Sequence, residues 1–324
     1  MAVGLDHSET FNPVRAYLLS VANPAAKQPV RGVMRIWPLH LVLVGAIILV
    51  AGLFVAGCSP LGLYNGLTPA DAGSARVGTD IAYGDHPRQR LDIYTPDAAA
   101  KPAPVVVIFY GGSWNSGRKE DYAFLGRAIA ARGFVAVIAD YRLVPHVRFP
   151  AFLDDGARAI AWAQAHAREY NGDPGRIFLL GHSAGAYNAA MIALDGRYLH
   201  GAGSSTSAIR AVAALAGPYD FLPLDVASTI AAFGQANDLA QTQPINFVTR
   251  PAPPMLLATG DADTTVKPRN TRALAEKLRA AGAEVVVRTY PGVGHVGILL
   301  ALSRPLRGKA PVLDDVAAFF DAHR

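Results

Sequence analysis

A serine between two glycines is the first feature of this sequence that could do chemistry. Residues 181–185 read Gly-His-Ser-Ala-Gly, the G-x-S-x-G pattern, with Ser183 at its centre. The pattern follows the apolar run RIFLL and precedes an alanine-rich stretch with helical spacing. Glycines two positions before and after a serine permit a sharp strand-to-helix turn that exposes the hydroxyl. The sequence therefore predicts that Ser183 is a nucleophile.

A serine hydroxyl needs a neighbouring base whose pKa lies near 7, which means histidine. In proteins with this serine turn, the acid and the base follow the serine along the chain, and His200, His295 and His323 do so here. His200 ends the segment after the serine, and His323 is the penultimate residue. His295 lies in a predicted loop after a strand, with glycines on both sides. We therefore expect His295 to be the base.

The loop that carries this histidine, PGVGHVG, also fits a second pattern. Gly292, Gly294 and Gly297 match the G-x-G-x-x-G spacing that binds a dinucleotide pyrophosphate. That fingerprint opens an early strand–helix unit and is followed about 20 residues later by an acidic residue. Here it follows the last predicted strand and no such acid is placed. We interpret the spacing as coincidental and predict no cofactor.

The elements that must position these residues alternate along the chain. SARVGTDIAYG and QRLDIYTP are predicted to form a hairpin, and APVVVIFYGG is a continuous apolar run typical of a strand buried on both faces. Further buried-strand runs alternate with helical patterns for some 200 residues. This alternation predicts an α/β fold with a doubly wound, mostly parallel sheet. In such sheets, reactive residues collect at the carboxyl ends of the strands.

The chain from about Ile81 to Asp321 resembles the esterase branch of the α/β-hydrolase superfamily. It is similar to feruloyl-esterase-like, isoprenylcysteine-methylesterase-like and kynurenine-formamidase-like members, on the serine pattern and on the segments ADYRL, AGPYDF and TGDADTTV. The last of these resembles the family's H-G-x-x-D-x-x-V loop, which implies that Asp263 is the catalytic acid. Thr259 replaces the usual histidine of that loop, and Asp261 remains an alternative acid.

The same resemblance implies an oxyanion hole and a pocket. The family's H-G-G-G loop reads Tyr-Gly-Gly-Ser-Trp here, so the amides of Gly112 and Ser113 are expected to join that of Ala184 around the oxyanion. Trp114 and Tyr187 are expected to border the substrate pocket. Residues 217–250 break the strand–helix alternation, and we expect them to form a small cap.

The N-terminal region has a different composition. The run Ile36–Gly57 is almost entirely apolar and about as long as a membrane span, and Cys58 follows it after small residues. This resembles a bacterial lipoprotein signal, and translation that begins at Met34 would give the signal its ordinary length. The resemblance implies that Cys58 is lipidated on the extracytoplasmic face. An uncleaved membrane anchor is the alternative. We expect a signal segment at 1–57, a tether at 58–75 and a hydrolase domain at 76–324.

Composition narrows the function classes. The chain has 324 residues, 51% of them hydrophobic, and a net charge of +5 without a basic run, so we expect no nucleic-acid partner. No metal-ligand motif appears in the sequence. The sequence predicts a membrane-anchored serine carboxylesterase that acts on small, short-chain esters. A formamidase or a peptidase would use the same triad, and a non-catalytic binding lipoprotein is the alternative from another class.

Overall fold

The computed structural model describes residues 59–98, 101–249 and 252–324. The predicted signal segment and Cys58 lie outside the described residues. Within the described ranges, no helix combines the length and the apolar character needed to cross a membrane.

The described residues form an eight-stranded sheet. In chain order its strands are β1 (Ser74–Ala82), β2 (Arg90–Pro96), β3 (Ala103–Phe109), β4 (Val135–Ala139), β5 (Gly172–His182), β6 (Ile209–Leu215), β7 (Met255–Gly260) and β8 (Val285–Tyr290). Their spatial order is β1-β2-β4-β3-β5-β6-β7-β8. The pairs β1–β2 and β2–β4 are antiparallel, and the remaining pairs are parallel. This confirms the predicted α/β fold and the predicted hairpin.

Helices flank this sheet. They are α1 (Pro60–Leu67), α2 (Ala123–Ala130), α3 (Ala151–His166), α4 (Ala184–Leu194), α5 (Gly196–Gly201), α6 (Ala227–Phe233), α7 (Arg269–Ala280), α8 (His295–Leu300) and α9 (Val312–Asp321). Every residue of β3 is buried, as expected for a strand covered on both faces. Such a strand is rich in valine and isoleucine because no side chain along it meets water.

The strand order brings four loops to one edge of the sheet. β3 lies beside β5, so the loop that follows Phe109 adjoins the turn at Ser183. β7 lies beside β8, so the loop containing Asp263 adjoins the one containing His295. The carboxyl ends of parallel strands lie at one edge of the sheet. The site residues predicted from separate parts of the chain therefore lie together at that edge.

The stretch expected to be a tether is ordered instead. Its first half forms α1, which is held to the rest of the molecule by side-chain hydrogen bonds. The Ser59 hydroxyl donates to Asp121 at 2.7 Å, and the hydroxyls of Tyr64 and Ser303 lie 2.5 Å apart. These contacts join residues far apart in the sequence. The tether prediction is therefore wrong for residues 59–67.

The segment expected to form a cap contains α6 and two short 3₁₀ helices, Leu239–Thr242 and Pro244–Phe247. It is fastened by polar contacts as well as by apolar packing. The side-chain carbonyl of Asn270 accepts the amides of Tyr219 and Asp220, both at 3.0 Å. Phe233 is fully buried against Trp114, with ring centroids 4.7 Å apart. The segment is thus built into the core at its base.

Candidate active site

Ser183 occupies a strained turn between β5 and α4. Its φ of +56° and ψ of −123° are unusual for a residue with a side chain, and such strain is typical of functional positions. The turn also requires a glycine two residues later, because a Cβ on Gly185 would lie 2.0 Å from the carbonyl oxygen of Phe109. The Ser183 amide is held by the Leu215 carbonyl at 2.9 Å. The G-x-S-x-G pattern therefore reflects a close approach of the backbone that only glycine permits at position 185.

The structure brings the side chains of Ser183, His295 and Asp263 together. Nε2 of His295 lies 2.8 Å from the Ser183 hydroxyl, and its Nδ1 lies 2.8 Å from a carboxylate oxygen of Asp263. A carboxylate only accepts hydrogen bonds, so Nδ1 carries the proton and Nε2 is free to accept one from the serine. His295 is the first residue of α8 rather than part of a loop.

The two candidate acids, Asp263 and Asp261, differ in burial and in hydrogen-bond partners. Asp263 is buried, and its second carboxylate oxygen accepts the amides of Thr265 and Val266 at 2.9 and 2.8 Å. Asp261 is exposed and accepts the Gly292 amide at 2.7 Å. Asp263 contacts the imidazole of His295, whereas Asp261 holds the loop that precedes His295.

The residues expected to form the oxyanion hole line the same two cavities as Ser183. Gly112, Ser113 and Ser183 border one cavity, and Ala184 borders an adjoining one. Within the described residues, the amides of Gly112, Ser113 and Ala184 donate to no protein acceptor. A Cβ on Gly112 would lie 2.3 Å from the Ser116 carbonyl oxygen, and φ is +131° there, so this loop requires glycine. Three unused donors thus remain near Ser183.

Sequence reasoning set aside His182, which is buried beside the partly buried His295. Its Nε2 lies 3.0 Å from the His295 carbonyl oxygen, and its Nδ1 lies 3.3 Å from the Tyr122 hydroxyl. The carbonyl can only accept, so Nε2 carries the proton and Nδ1 accepts from the tyrosine. The tyrosine oxygen in turn accepts the Gly111 amide at 3.0 Å. These hydrogen bonds connect the loop at Gly111 to the backbone of His295.

Burial controls the charge of His182. Desolvation, followed by the proximity of His295, lowers the pKa of His182 to about 3, so its imidazole is neutral near pH 7. The position of His182 in the sequence could have indicated its role. It directly precedes Ser183 at the end of a strand, where a side chain points toward neighbouring loops.

Two cavities meet at Ser183. The larger, about 730 Å³, is called the helix-side cleft because α1 forms one of its walls; its lining also includes Gly111, Tyr122, His182, His295, Leu299 and Leu300. The smaller, about 370 Å³, is called the cap-side cleft; its lining includes Trp114, Ala184, Phe221, Val226, Lys267 and Arg269. Both are lined by Ser113, Ser183 and Thr265. Ser183 therefore lies where the two clefts join.

The two expected pocket residues differ in position. Trp114 is only 2% exposed but borders the cap-side cleft, and its indole N–H donates to Asn188 at 3.1 Å. Tyr187 is fully buried and borders neither cleft. Its hydroxyl donates to the Thr242 carbonyl at 2.8 Å, which ties α4 to the cap segment. Its expected place in the pocket is therefore wrong: Tyr187 supports Trp114 from behind, with ring centroids 5.2 Å apart.

No group of three or more metal-ligating side chains is present in the described ranges. The arrangement of Ser183, His295 and the free amides is suited to nucleophilic attack, proton transfer and oxyanion stabilisation.

The BD-FAE family model matches residues 91–278 of the chain. Esterase LipC of Mycobacterium tuberculosis is 36% identical over 239 residues, which cover 66% of this chain and 58% of LipC. The probable isoprenylcysteine alpha-carbonyl methylesterase ICMEL1 of Arabidopsis thaliana is 31% identical over 258 residues, which cover 72% of this chain and 54% of that protein. The chain thus spans little more than half the length of these relatives.

Solved structures give the same fold. Esterase B from Lactobacillus Rhamnosis has a TM-score of 0.72 at 18% identity, covering 87% of this chain and 95% of its own. A truncated form of a carbohydrate esterase from gut microbiota has a TM-score of 0.69 at 23% identity, covering 79% of this chain and 99% of its own. The predicted α/β-hydrolase fold is therefore confirmed.

Proposed function

The chain belongs to the BD-FAE family, and from this membership and the geometry at Ser183 we propose that it is a serine carboxylesterase. One observation carries the proposal. The imidazole of His295 lies 2.8 Å from the Ser183 hydroxyl on one side and 2.8 Å from the Asp263 carboxylate on the other. This arrangement is suited to general-base activation of a serine. The names of the similar proteins, esterase and methylesterase, support an ester as the substrate.

The proposed reaction has two stages. In the first, the Ser183 oxygen attacks the ester carbonyl carbon while Nε2 of His295 takes the hydroxyl proton. The bond to the alcohol oxygen then breaks, and that oxygen receives the proton from Nε2. In the second stage, a water molecule attacks the acyl-enzyme by the same route and releases the carboxylic acid.

The other residues stabilise charge in both stages. Asp263 holds the tautomer of His295 and stabilises the imidazolium that forms. The amides of Gly112, Ser113 and Ala184 are assigned to the carbonyl oxygen as it becomes an oxyanion. Removing one donor of this kind typically costs about 2.7–4 kcal/mol of transition-state stabilisation.

We propose a preference for short acyl chains. Its support is the size of the cap-side cleft, about 370 Å³, and the buried Trp114 that closes one side of it. A series of nitrophenyl esters of increasing acyl length tests this preference. Acetyl and butyryl esters should turn over faster than long-chain esters, and the reverse order would contradict the proposal.

A serine-reactive fluorophosphonate tests the catalytic role itself. Wild-type protein should be labelled covalently, and Ser183→Ala should not be labelled. A matched control is Ser116→Ala, because Ser116 lies in the same cleft but its hydroxyl donates to the Gly112 carbonyl at 2.9 Å. Absence of labelling together with absence of ester hydrolysis would favour a non-catalytic binding protein.

We also propose that the enzyme is anchored to a membrane on the extracytoplasmic side. The support is the sequence: the apolar run Ile36–Gly57 precedes Cys58, and the catalytic residues all follow it. Lipidation at Cys58 would leave the hydrolase domain attached to the outer face of the membrane.

A further inference from the structure

The two clefts at Ser183 differ in chemistry as well as in size. The helix-side cleft is lined by the apolar side chains of Leu61, Leu299 and Leu300. The cap-side cleft is half as large and carries the charged side chains of Asp225, Lys267 and Arg269 in its lining. An ester held at Ser183 has two parts, the acyl part and the alcohol part, and the two clefts can each receive one.

The position of the base decides which part goes where. The alcohol oxygen must receive its proton from Nε2 of His295, so the alcohol part leaves on the side of that ring. His295 lines the helix-side cleft and does not line the cap-side cleft. Of the expected oxyanion donors, Gly112 lines the helix-side cleft, Ala184 lines the cap-side cleft and Ser113 lines both, so the carbonyl group lies where the clefts join and the base alone assigns the alcohol side.

The helix α1, which forms one wall of the helix-side cleft, is held in place by side-chain hydrogen bonds. The Asn65 side chain donates to the Glu120 carbonyl at 3.0 Å and accepts the Phe124 amide at 2.8 Å. Together with the bonds of Ser59 and Tyr64, these contacts hold the helix at both ends. Leu61 is partly buried against the core and faces the cleft, whereas Leu63 is 47% exposed and is not part of its lining.

We propose that the helix-side cleft binds the alcohol part of the substrate, that this part is an extended apolar group, and that α1 is a specificity-determining element with Leu61 as its main contact. The natural substrates are then short-chain acyl esters of large apolar alcohols. This inference rests on the proposed esterase function and deepens it.

Isomeric esters separate the two halves without changing composition. Hexyl acetate places six carbons on the alcohol side, and ethyl hexanoate places six carbons on the acyl side; both are C₈H₁₆O₂. The full-length enzyme should hydrolyse hexyl acetate with a kcat/KM at least tenfold higher. An equal or reversed preference would overturn the assignment.

Variants of α1 locate the contact. Leu61→Trp should lower the ratio of kcat/KM for hexyl acetate to that for ethyl acetate at least fivefold, because the indole fills the apolar end of the cleft. Leu63→Trp is the matched control on the exposed face of the same helix and should leave the ratio within twofold. An unchanged ratio in Leu61→Trp would overturn the role of the helix.

Two further measurements keep the outcomes distinct. If Leu61→Trp fails to fold, Leu61→Ala should lower the same ratio at least threefold, and the isomer comparison in the unmodified enzyme stands independently. Hydrolysis of ethyl acetate with a preference for ethyl hexanoate overturns only the cleft assignment. No hydrolysis of any ester and no fluorophosphonate label overturns the proposed function itself.

Discussion

Nε2 of His182 lies 3.0 Å from the carbonyl oxygen of His295. The residue next to Ser183 thereby holds the backbone of His295. Through the Tyr122 hydroxyl, the same imidazole is connected to the Gly111 amide, next to the expected oxyanion hole. The turn at Ser183, the proposed base His295 and the loop at Gly111 are thus linked through one neutral, buried side chain.

This link predicts a positioning role for His182. His182→Phe keeps an aromatic ring but removes both hydrogen bonds, and we expect kcat for nitrophenyl acetate to fall at least tenfold with little change in KM. His182→Gln can still donate to the His295 carbonyl and accept from Tyr122, so it should recover a large part of the loss. Equal kcat values for His182→Phe and the wild-type enzyme would rule out the role.

The same histidine predicts a pH dependence of stability. Its pKa in the folded protein is about 3, below the value of about 6.5 for an unfolded histidine, so the folded state binds fewer protons at this site. The stability contributed by the neutral ring is complete above pH 6.5 and is lost as the pH falls below it. At pH 5 the loss amounts to about 2 kcal/mol.

Urea unfolding at pH 7.5 and pH 5.0 measures this effect. The free energy of unfolding of the wild-type protein should fall by about 2 kcal/mol more than that of His182→Gln over this interval. Other groups titrate equally in both proteins, so the comparison isolates His182. Parallel losses in the two proteins would contradict a buried neutral imidazole.

The base assignment predicts a second pair of outcomes. His295→Ala should lower kcat about as much as Ser183→Ala, on the order of 10⁶-fold, because residues of a triad act as a unit. His323→Ala is the control: its ring contacts Glu284 and the Phe319 carbonyl at the C-terminus, and kcat should change less than tenfold. Single-turnover rates with nitrophenyl acetate measure both, and an active His295→Ala enzyme would remove the triad.

The two aspartates of the TGDADTTV segment predict a third contrast. Asp263→Asn should lower kcat about 10⁴-fold, because the amide favours the wrong tautomer of His295. Asp261→Asn keeps an oxygen that can accept the Gly292 amide, so kcat should change less than tenfold. If the larger loss fell on Asp261→Asn, the choice between the two acids would be reversed.

The sequence was sufficient where local pattern determines structure. The turn at Ser183 follows from its two glycines, and the buried strand β3 follows from its run of valines and isoleucine. The proximity of Ser183, Asp263 and His295 also follows, because parallel strands end at one edge of a sheet. Each of these inferences needs only a short segment and a general rule of topology.

Distant contacts were not predictable in the same way. The docking of α1 depends on Asp121 and Ser303, which lie far along the chain from the residues that they hold. Its Gly- and Pro-containing sequence alone is typical of a tether. The burial of Tyr187 was equally hidden, because every residue of α4 is buried and the helix has no polar face that would show which side meets the pocket.

The membrane anchor gives the last prediction, which depends on Cys58. The apolar run before it is long enough to enter a bilayer, and the cysteine stands where a lipidated residue is expected. Buried acyl chains contribute about 0.8 kcal/mol per CH₂, and two or more chains are needed for stable attachment.

Mass spectrometry of the membrane-extracted protein should therefore find a mature N-terminus at Cys58 that carries acyl groups, and Cys58→Ser should lack them. Removal of residues 1–58 should release an active domain that retains α1, whereas removal of residues 1–68 should also lower kcat/KM for hexyl acetate relative to ethyl acetate. An unmodified Cys58 within a chain that still begins at Met1 or Met34 would favour an uncleaved transmembrane anchor.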